Sequence, residues 1–215
     1  MRYETEAALL RQLEGLLPLE IPHVVRTGRR WIVTRYVRGS AFAGDADLRP
    51  LGSFLRRLHE LAIDAPLHDP RADTERFRRL VLPLLEGAER RAGEAMLDAH
   101  AAASFEPALT HADLGPEHVL VREGRVHGVI DWTDARLGDP AIDLAWALQA
   151  DPRVAETYPV DAALARRALV YHALGPWHEV AWGLGHGGRR WVESGLAGVR
   201  ARPRAVAGSP DTMAE

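Results

Sequence analysis

Three short apolar runs crowded between Pro107 and Trp132 constrain this chain more than any other feature. They are Ala108-Leu109-Thr110, Val119-Leu120-Val121 and Val126-His127-Gly128-Val129-Ile130, each of strand length and too short for a helix. Glu123-Gly124, between the last two, reads as a hairpin turn. Segments of helical spacing lie on both sides, so a small β cluster is set into a mostly helical chain and the fold class is α+β. His111, Asp113, His118 and Asp131 fall on the loops flanking these strands. A side chain placed there is partly desolvated and held by rigid backbone, which suits a base or a metal ligand.

The remaining elements follow from periodicity and breakers. Ala7, Leu10, Leu13 and Leu17 recur at helical spacing over residues 4–17, before Pro18 and Pro22. Residues 23–27 and 31–37 read as two strands around the Gly28-Arg29-Arg30 turn. Helices are predicted over 51–61, over 73–102 with a break near Pro83, after Gly138-Asp139-Pro140 through Leu148, and over 161–184 and 189–199. This order divides the chain into a small amino-terminal part (1–37), a helical lobe (38–202) and a small, polar, frayed tail (203–215).

Composition excludes several classes. The 27 basic and 30 acidic residues give a net charge of −3, which argues against a nucleic-acid partner. The absence of cysteine removes disulfides, thiolate zinc sites and cysteine nucleophiles. Every one of the 27 basic residues is an arginine, so neither a Schiff-base lysine nor a P-loop lysine exists in this sequence. No apolar run approaches the roughly 18–20 residues of a membrane span, and the start lacks the order of a signal peptide. No membrane partner and a cytoplasmic location are therefore expected, while the oligomeric state is left open.

Other features have ordinary readings. Gly183-Leu184-Gly185-His186-Gly187-Gly188 matches a dinucleotide string but follows a helical stretch, so it reads as a helix–helix turn. The recurring Arg-Arg pairs read as solvated helix faces. Trp146, Trp177, Trp182 and Trp191 read as core or groove residues before substrate platforms. Taken singly, Asp113 and Asp131 could cap turns, and His111 and His118 could serve local hydrogen bonds. Four such residues beside one strand cluster weigh toward a site.

The segment from Leu109-Thr110-His111-Ala112-Asp113 through Glu117-His118-Val119-Leu120-Val121 resembles the catalytic loop of the aminoglycoside phosphotransferase family. Gly128-Val129-Ile130-Asp131-Trp132 resembles its metal-binding segment, and Gly138-Asp139-Pro140-Ala141-Ile142-Asp143-Leu144 its downstream helix-capping motif. The agreement extends more loosely from Glu4 to about Arg202. The resemblance implies a protein-kinase-like fold and transfer of the ATP γ-phosphoryl group to a hydroxyl of a small molecule, such as an aminoglycoside- or macrolide-like antibiotic or a metabolite. It implies Asp113 as catalytic base, with His118 and Asp131 as ligands of Mg2+. His111, Asp139 and Asp143 would support the site. Trp31–Val37 would be the hinge strand, with the backbone of Arg35, Tyr36 and Val37 meeting the adenine.

Two departures from the family pattern bear on these expectations. Most members carry asparagine at the position of His118, and imidazole is a softer ligand than an amide oxygen. Mn2+ could then be favoured, or the histidine could orient a metal-bound water. In the family, a phosphate-covering hairpin and a lysine-bearing strand precede the helix that begins near Glu4. Glu6 resembles the glutamate that pairs with that lysine, so the amino-terminal lobe reads as truncated. Two alternatives to a small-molecule kinase remain from other classes. One is a degenerate kinase-fold binding module. The other is a metal-dependent hydrolase using His111, Asp113, His118 and Asp131 together.

Overall fold

The computed structural model describes residues 2–44 and 46–202, so the tail expected over 203–215 lies outside the described residues. Two compact units emerge: the chain up to His68 together with Glu106–Asp161, and Asp69–Phe105 together with the chain from Ala162.

The first unit contains the β cluster. Helix α1 (Arg2–Leu13) buries Ala7, Leu10 and Leu13 along one face, as the spacing predicts. It ends four residues before the expected Leu17, because Gly15 at φ 74° turns the chain through the left-handed region favoured after a helix. Strands β1 (Val24–Gly28) and β2 (Trp31–Thr34) form the expected antiparallel hairpin. The second strand stops at Thr34, short of the expected Val37. Past the Arg35 N–H bond to the His23 carbonyl (2.8 Å), the partner backbone is diverted: Glu20 donates to the His127 carbonyl (3.0 Å) and accepts from Val129 N–H (2.9 Å). Val37 instead turns inward and is buried.

A three-stranded antiparallel sheet follows the order β3 (Ser40–Ala41), β5 (Val119–Arg122), β6 (Arg125–Val129). The β5–β6 turn is at Glu123-Gly124, where φ is 54° and 71°, the two positive values of a tight hairpin connection. Strand β4 (Ala108–Thr110) pairs antiparallel with β7 (Arg136–Gly138). Neither β3 nor β7 is foreseen by the pattern, since two or three residues carry no alternation to read. Helix α2 (Arg49–His59) buries Leu51, Phe54, Leu55 and Leu58, and α5 (Ala141–Ala150) buries Leu144 and Ala147.

The second unit is helical. The stretch expected over 73–102 resolves into α3 (Pro70–Leu80), a short 3-10 turn at Leu82–Leu84 containing Pro83, and α4 (Gly87–Ala101). These pack with α6 (Ala162–His186) and α7 (Arg189–Ala201). Phe77, Val81, Leu97, Leu174, Trp177 and Val180 are central to this unit's core, which settles Trp177 as a packing residue. The glycine-rich string forms the last turn of α6 and, through Gly187-Gly188, the turn into α7, in line with its helical context.

Candidate active site

The site is built on a buried polar scaffold in the first unit. Asp143, in the first turn of α5, is fully buried, and its two oxygens accept the His111 and Ala112 backbone N–H groups at 2.8 Å each. Its Oδ2 also meets His59 Nε2 at 3.1 Å. Burial alone would raise the pKa of this carboxyl. The hydrogen bond to His59, with the amide donors, outweighs burial and holds it below the ordinary carboxylate value. Asp139 is buried at the head of the same helix, where its Oδ1 accepts Ala141 N–H at 3.0 Å.

His111 is enclosed and acts as a brace. A carbonyl can only accept, so Nε2 carries the hydrogen of the 3.0 Å bond to the Ile130 carbonyl. Burial depresses the His111 pKa and keeps the ring neutral. Trp132 packs edge-on against it at 5.0 Å and donates its indole N–H to the Val129 carbonyl at 3.1 Å. His111 thereby ties the strand β4 exit to the segment that carries Asp131.

Asp113, His118 and Asp131 project from that scaffold. Two of the backbone turns presenting them are unusual: Ala112 and Asp131 sit at φ 65° and 64°, a region that non-glycine residues rarely occupy. His118 Nδ1 donates to the Asp113 carbonyl at 2.6 Å, which leaves Nε2 as the lone-pair nitrogen, 3.7 Å from Asp131 Oδ2. The Asp113 carboxylate lies 3.9 Å from His118 Nδ1, with its side chain 58% exposed. Its pKa is raised, chiefly because nearby protein strips hydration from the charge. Asp134 and Asp131 add to that shift.

The His118–Asp131 separation is too long for a direct hydrogen bond. Metal–ligand bonds of about 2.1 Å allow separations up to about 4 Å, so one imidazole nitrogen and one carboxylate fit a partial Mg2+ or Mn2+ shell that phosphate and water oxygens complete. Among the described residues no three His, Asp or Glu side chains gather to hold a metal ion. The four-ligand hydrolase centre considered from sequence is therefore not assembled among the described residues.

The resemblance did not assign several residues that the structure brings in. Thr133 donates its hydroxyl to Glu6 Oε2 at 3.2 Å, linking α1 to the Asp131 segment. His59 and Tyr158 join Asp143 from α2 and from the chain beyond α5. Arg35, Tyr36 and Val37 follow the β1–β2 hairpin, with Tyr36 80% exposed and Val37 buried.

The fold is that of the kinase-like antibiotic phosphotransferases. The GDP complex of wild-type aminoglycoside 2'-phosphotransferase-IIIa superposes with a TM-score of 0.80 at 21% identity, covering 94% of this chain and 82% of that one. The apoenzyme of macrolide 2'-phosphotransferase MphH from Brachybacterium faecium gives a TM-score of 0.69 at 25% identity, over 92% and 79% of the two chains. In sequence, viomycin phosphotransferase of Streptomyces vinaceus is 30% identical over 132 residues, 59% of this chain and 42% of that protein. The uncharacterized protein YcbJ of Bacillus subtilis (strain 168) is 53% identical over 36 residues, 16% of this chain and 12% of that protein. The matched region thus spans less than half the length of these curated relatives. The model of the phosphotransferase enzyme family, APH, matches residues 1–182, and the chain belongs to that family.

Proposed function

We propose that this chain transfers the γ-phosphoryl group of ATP to a hydroxyl of a small molecule, with Asp113 as the catalytic base. The observation that carries this reading is the presentation of Asp113. Its carboxylate is accessible, its pKa is raised by the protein around it, and it follows a left-handed residue whose amide is tied to buried Asp143. A base must be reachable by the acceptor and held in orientation, and this arrangement supplies both.

In the proposed step the acceptor oxygen bonds to the γ-phosphorus and the bond from that phosphorus to the bridging oxygen of ADP breaks. The acceptor proton passes to Asp113. Phosphoryl transfer proceeds through a loose transition state, so positioning and charge neutralisation dominate. His118 Nε2 and Asp131 would hold a divalent cation, which when bound neutralises the phosphate charge. The imidazole nitrogen supports a preference for Mn2+ over Mg2+. The backbone of Arg35, Tyr36 and Val37 would meet the adenine. Hydroxylated antibiotics of the aminoglycoside, macrolide and viomycin kinds are the first acceptors to try, given the names of the relatives. Consumption of ATP implies the cytoplasm as the compartment.

A binding module without catalysis is the second reading. One observation favours it: the Glu6 carboxylate accepts from the Thr133 hydroxyl. Calorimetric titration of ATP with Mg2+ and then Mn2+, followed by an acceptor screen, separates the two. Metal-dependent binding that weakens in Asp131→Ala, with phosphoryl transfer abolished in Asp113→Ala, is the expected result. ATP binding with no transfer to any acceptor would favour the binding module, and no nucleotide binding by the folded chain would sink the kinase reading.

A further inference from the structure

We infer that the cleft between α1 and β1 is a binding site for a small hydrophobic amine, an aryl or alkyl group carrying one ammonium. The inference goes beyond the phosphotransferase reading and does not depend on it. Every residue it uses lies in the first compact unit.

The cleft follows from how the chain leaves α1. Gly15 at φ 74° turns it away from the helix, and Pro18 and Pro22 stiffen its return to β1. The loop does not settle onto the helix, and a cavity of about 190 Å³ stays open between the two. Leu10 and Leu13 line it from the helix and are buried, while Leu17, Leu19 and Ile21 line it from the loop and are half-buried. Protein interiors pack closely enough that gaps of this size are few. Water suits this one poorly, because a held water needs about two to four polar partners and leucine offers none. An apolar group suits it well. A cavity of about 150 Å³ can take a benzene ring, so this one has room for a ring and a short chain.

The charge at the cleft decides which apolar molecule fits. Glu14, Glu20 and His23 are its titratable lining residues, and among the described residues no arginine lines it. Glu14 Oε1 meets His23 Nδ1 at 2.8 Å, and Glu20 Oε2 meets His127 Nε2 at 2.8 Å. Among the described residues Glu14 has no further partner, and its side chain is 57% exposed, so its second oxygen is open to a ligand. A carboxylate beside an apolar cavity attracts a cation and repels an anion. An ammonium donates to Glu14 while its apolar part covers the leucines. A neutral molecule of the same shape gains the burial without the charge-assisted bond.

The placement gives the site reach. The same helix carries Glu6, which accepts from Thr133, two residues beyond Asp131. A molecule held against Leu10 and Leu13 therefore rests on the helix that contacts the Asp131 segment.

The test titrates the full chain, with methyl-labelled leucine and at neutral pH, with 2-phenylethylamine, 2-phenylethanol and 3-phenylpropionate. The amine should shift the methyls of Leu10, Leu13, Leu17 and Leu19, with a Kd of about 1 mM for so small a ligand. The alcohol should bind about tenfold more weakly, as for loss of a bond to a charged group, and the acid not measurably. Glu14→Gln should bring the amine down to the level of the alcohol with the melting temperature unchanged, since the side chain is exposed. Leu19→Phe fills the cavity and should abolish binding of both; if it fails to fold, Leu17→Phe does the same from the neighbouring position. The Leu16 amide donates to the Leu13 carbonyl at 3.0 Å, and amine at about ten times its Kd should slow its exchange by about tenfold.

No shift of these methyls by the amine would overturn the inference. So would equal affinity for the alcohol, an amine affinity that Glu14→Gln leaves unchanged, or binding retained in a folded cavity-filling variant. No readout involves phosphoryl transfer, so a chain without that activity leaves the outcome of this test intact.

Discussion

The two halves of the candidate site are built on opposite principles. Behind it, Asp143, His111, Asp139 and His59 are almost wholly enclosed, and Asp143 alone takes three donors between 2.8 and 3.1 Å. In front, Asp113 and Asp131 are 58% and 51% exposed, and both stand 3.7–3.9 Å from the His118 ring. Buried polar groups must be satisfied internally, because each unmet partner costs about 1–3 kcal/mol. That rule constrains the rear half closely, with the His111 Nδ1 atom left buried without a partner. The front half is free of it because water, a metal ion and phosphate oxygens can complete its bonding. The difference teaches where the fold puts rigidity: in the peptide groups beneath the reactive atoms, while the reactive atoms keep open valences.

Exchanging the fates of the two aspartates gives the sharpest contrast. Asp113→Ala should cut phosphoryl transfer by about 10²–10⁴-fold, the usual contribution of a general base. Its stability should stay within about 0.5 kcal/mol, as for other surface changes. Asp143→Ala strands three donors and should cost on the order of 3–5 kcal/mol, as when one member of a buried charged pair is removed. Denaturant melts beside single-turnover assays would show the two losses on different axes. Equal stability losses would erase the contrast.

A smaller effect probes the link between the amino-terminal hairpin and the strands beneath the site. A Cβ on Gly128 would stand 2.8 Å from the Glu20 carbonyl and 2.7 Å from Val37 Cγ1. Gly128→Ala should therefore cost about 1–3 kcal/mol through overpacking. The same change at Gly124, where nothing lies within 4 Å, pays only for its left-handed φ. Thermal melts of the two variants rank these effects.

The finest comparison is in pH. The Asp143 pKa is held below its ordinary 3.8, so the stability it contributes is present above pH 3.8 and drains away as pH falls through the folded value. The Asp113 pKa is raised, so this group opposes folding above 3.8. The opposition is weak, since its largely exposed side chain is screened by solvent. Asp113→Asn should be slightly more stable than wild type at pH 7. The acid limb of kcat/KM should fall at a pH above the ordinary carboxylate value and vanish with Asp113. An acid limb at or below 3.8 would contradict the raised pKa of this carboxylate.

Legibility followed distance along the chain. The loop from Leu109 to Val121, the Ile130-Asp131-Trp132 segment and the Gly138-Asp139-Pro140 turn are contiguous strings, so their order and spacing could be read directly. The major helices were visible for the same reason, since each buries a face at its own periodicity. The misses lie where partners are remote. Strand β7 exists because Arg136–Gly138 meets Ala108–Thr110. The β1–β2 hairpin is shortened because Glu20 finds β6. His59 and Asp143 are separated by 84 positions, and Glu6 and Thr133 by 127.

What the sequence determined by itself was the kind of molecule: a helical α+β chain with one polar strand cluster, without lysine or cysteine chemistry, carrying the strings of a phosphotransferase. Those properties are local, set by side-chain type and spacing. Only the tertiary structure decided which histidine is a brace and which stands between the two exposed aspartates. It also decided that the Glu6 carboxylate meets Thr133, and that a histidine from α2 stands behind the aspartate holding the Ala112 turn. The physical reason is that a buried polar group takes its role from the partners that folding delivers to it, and those partners are fixed by packing rather than by sequence neighbours.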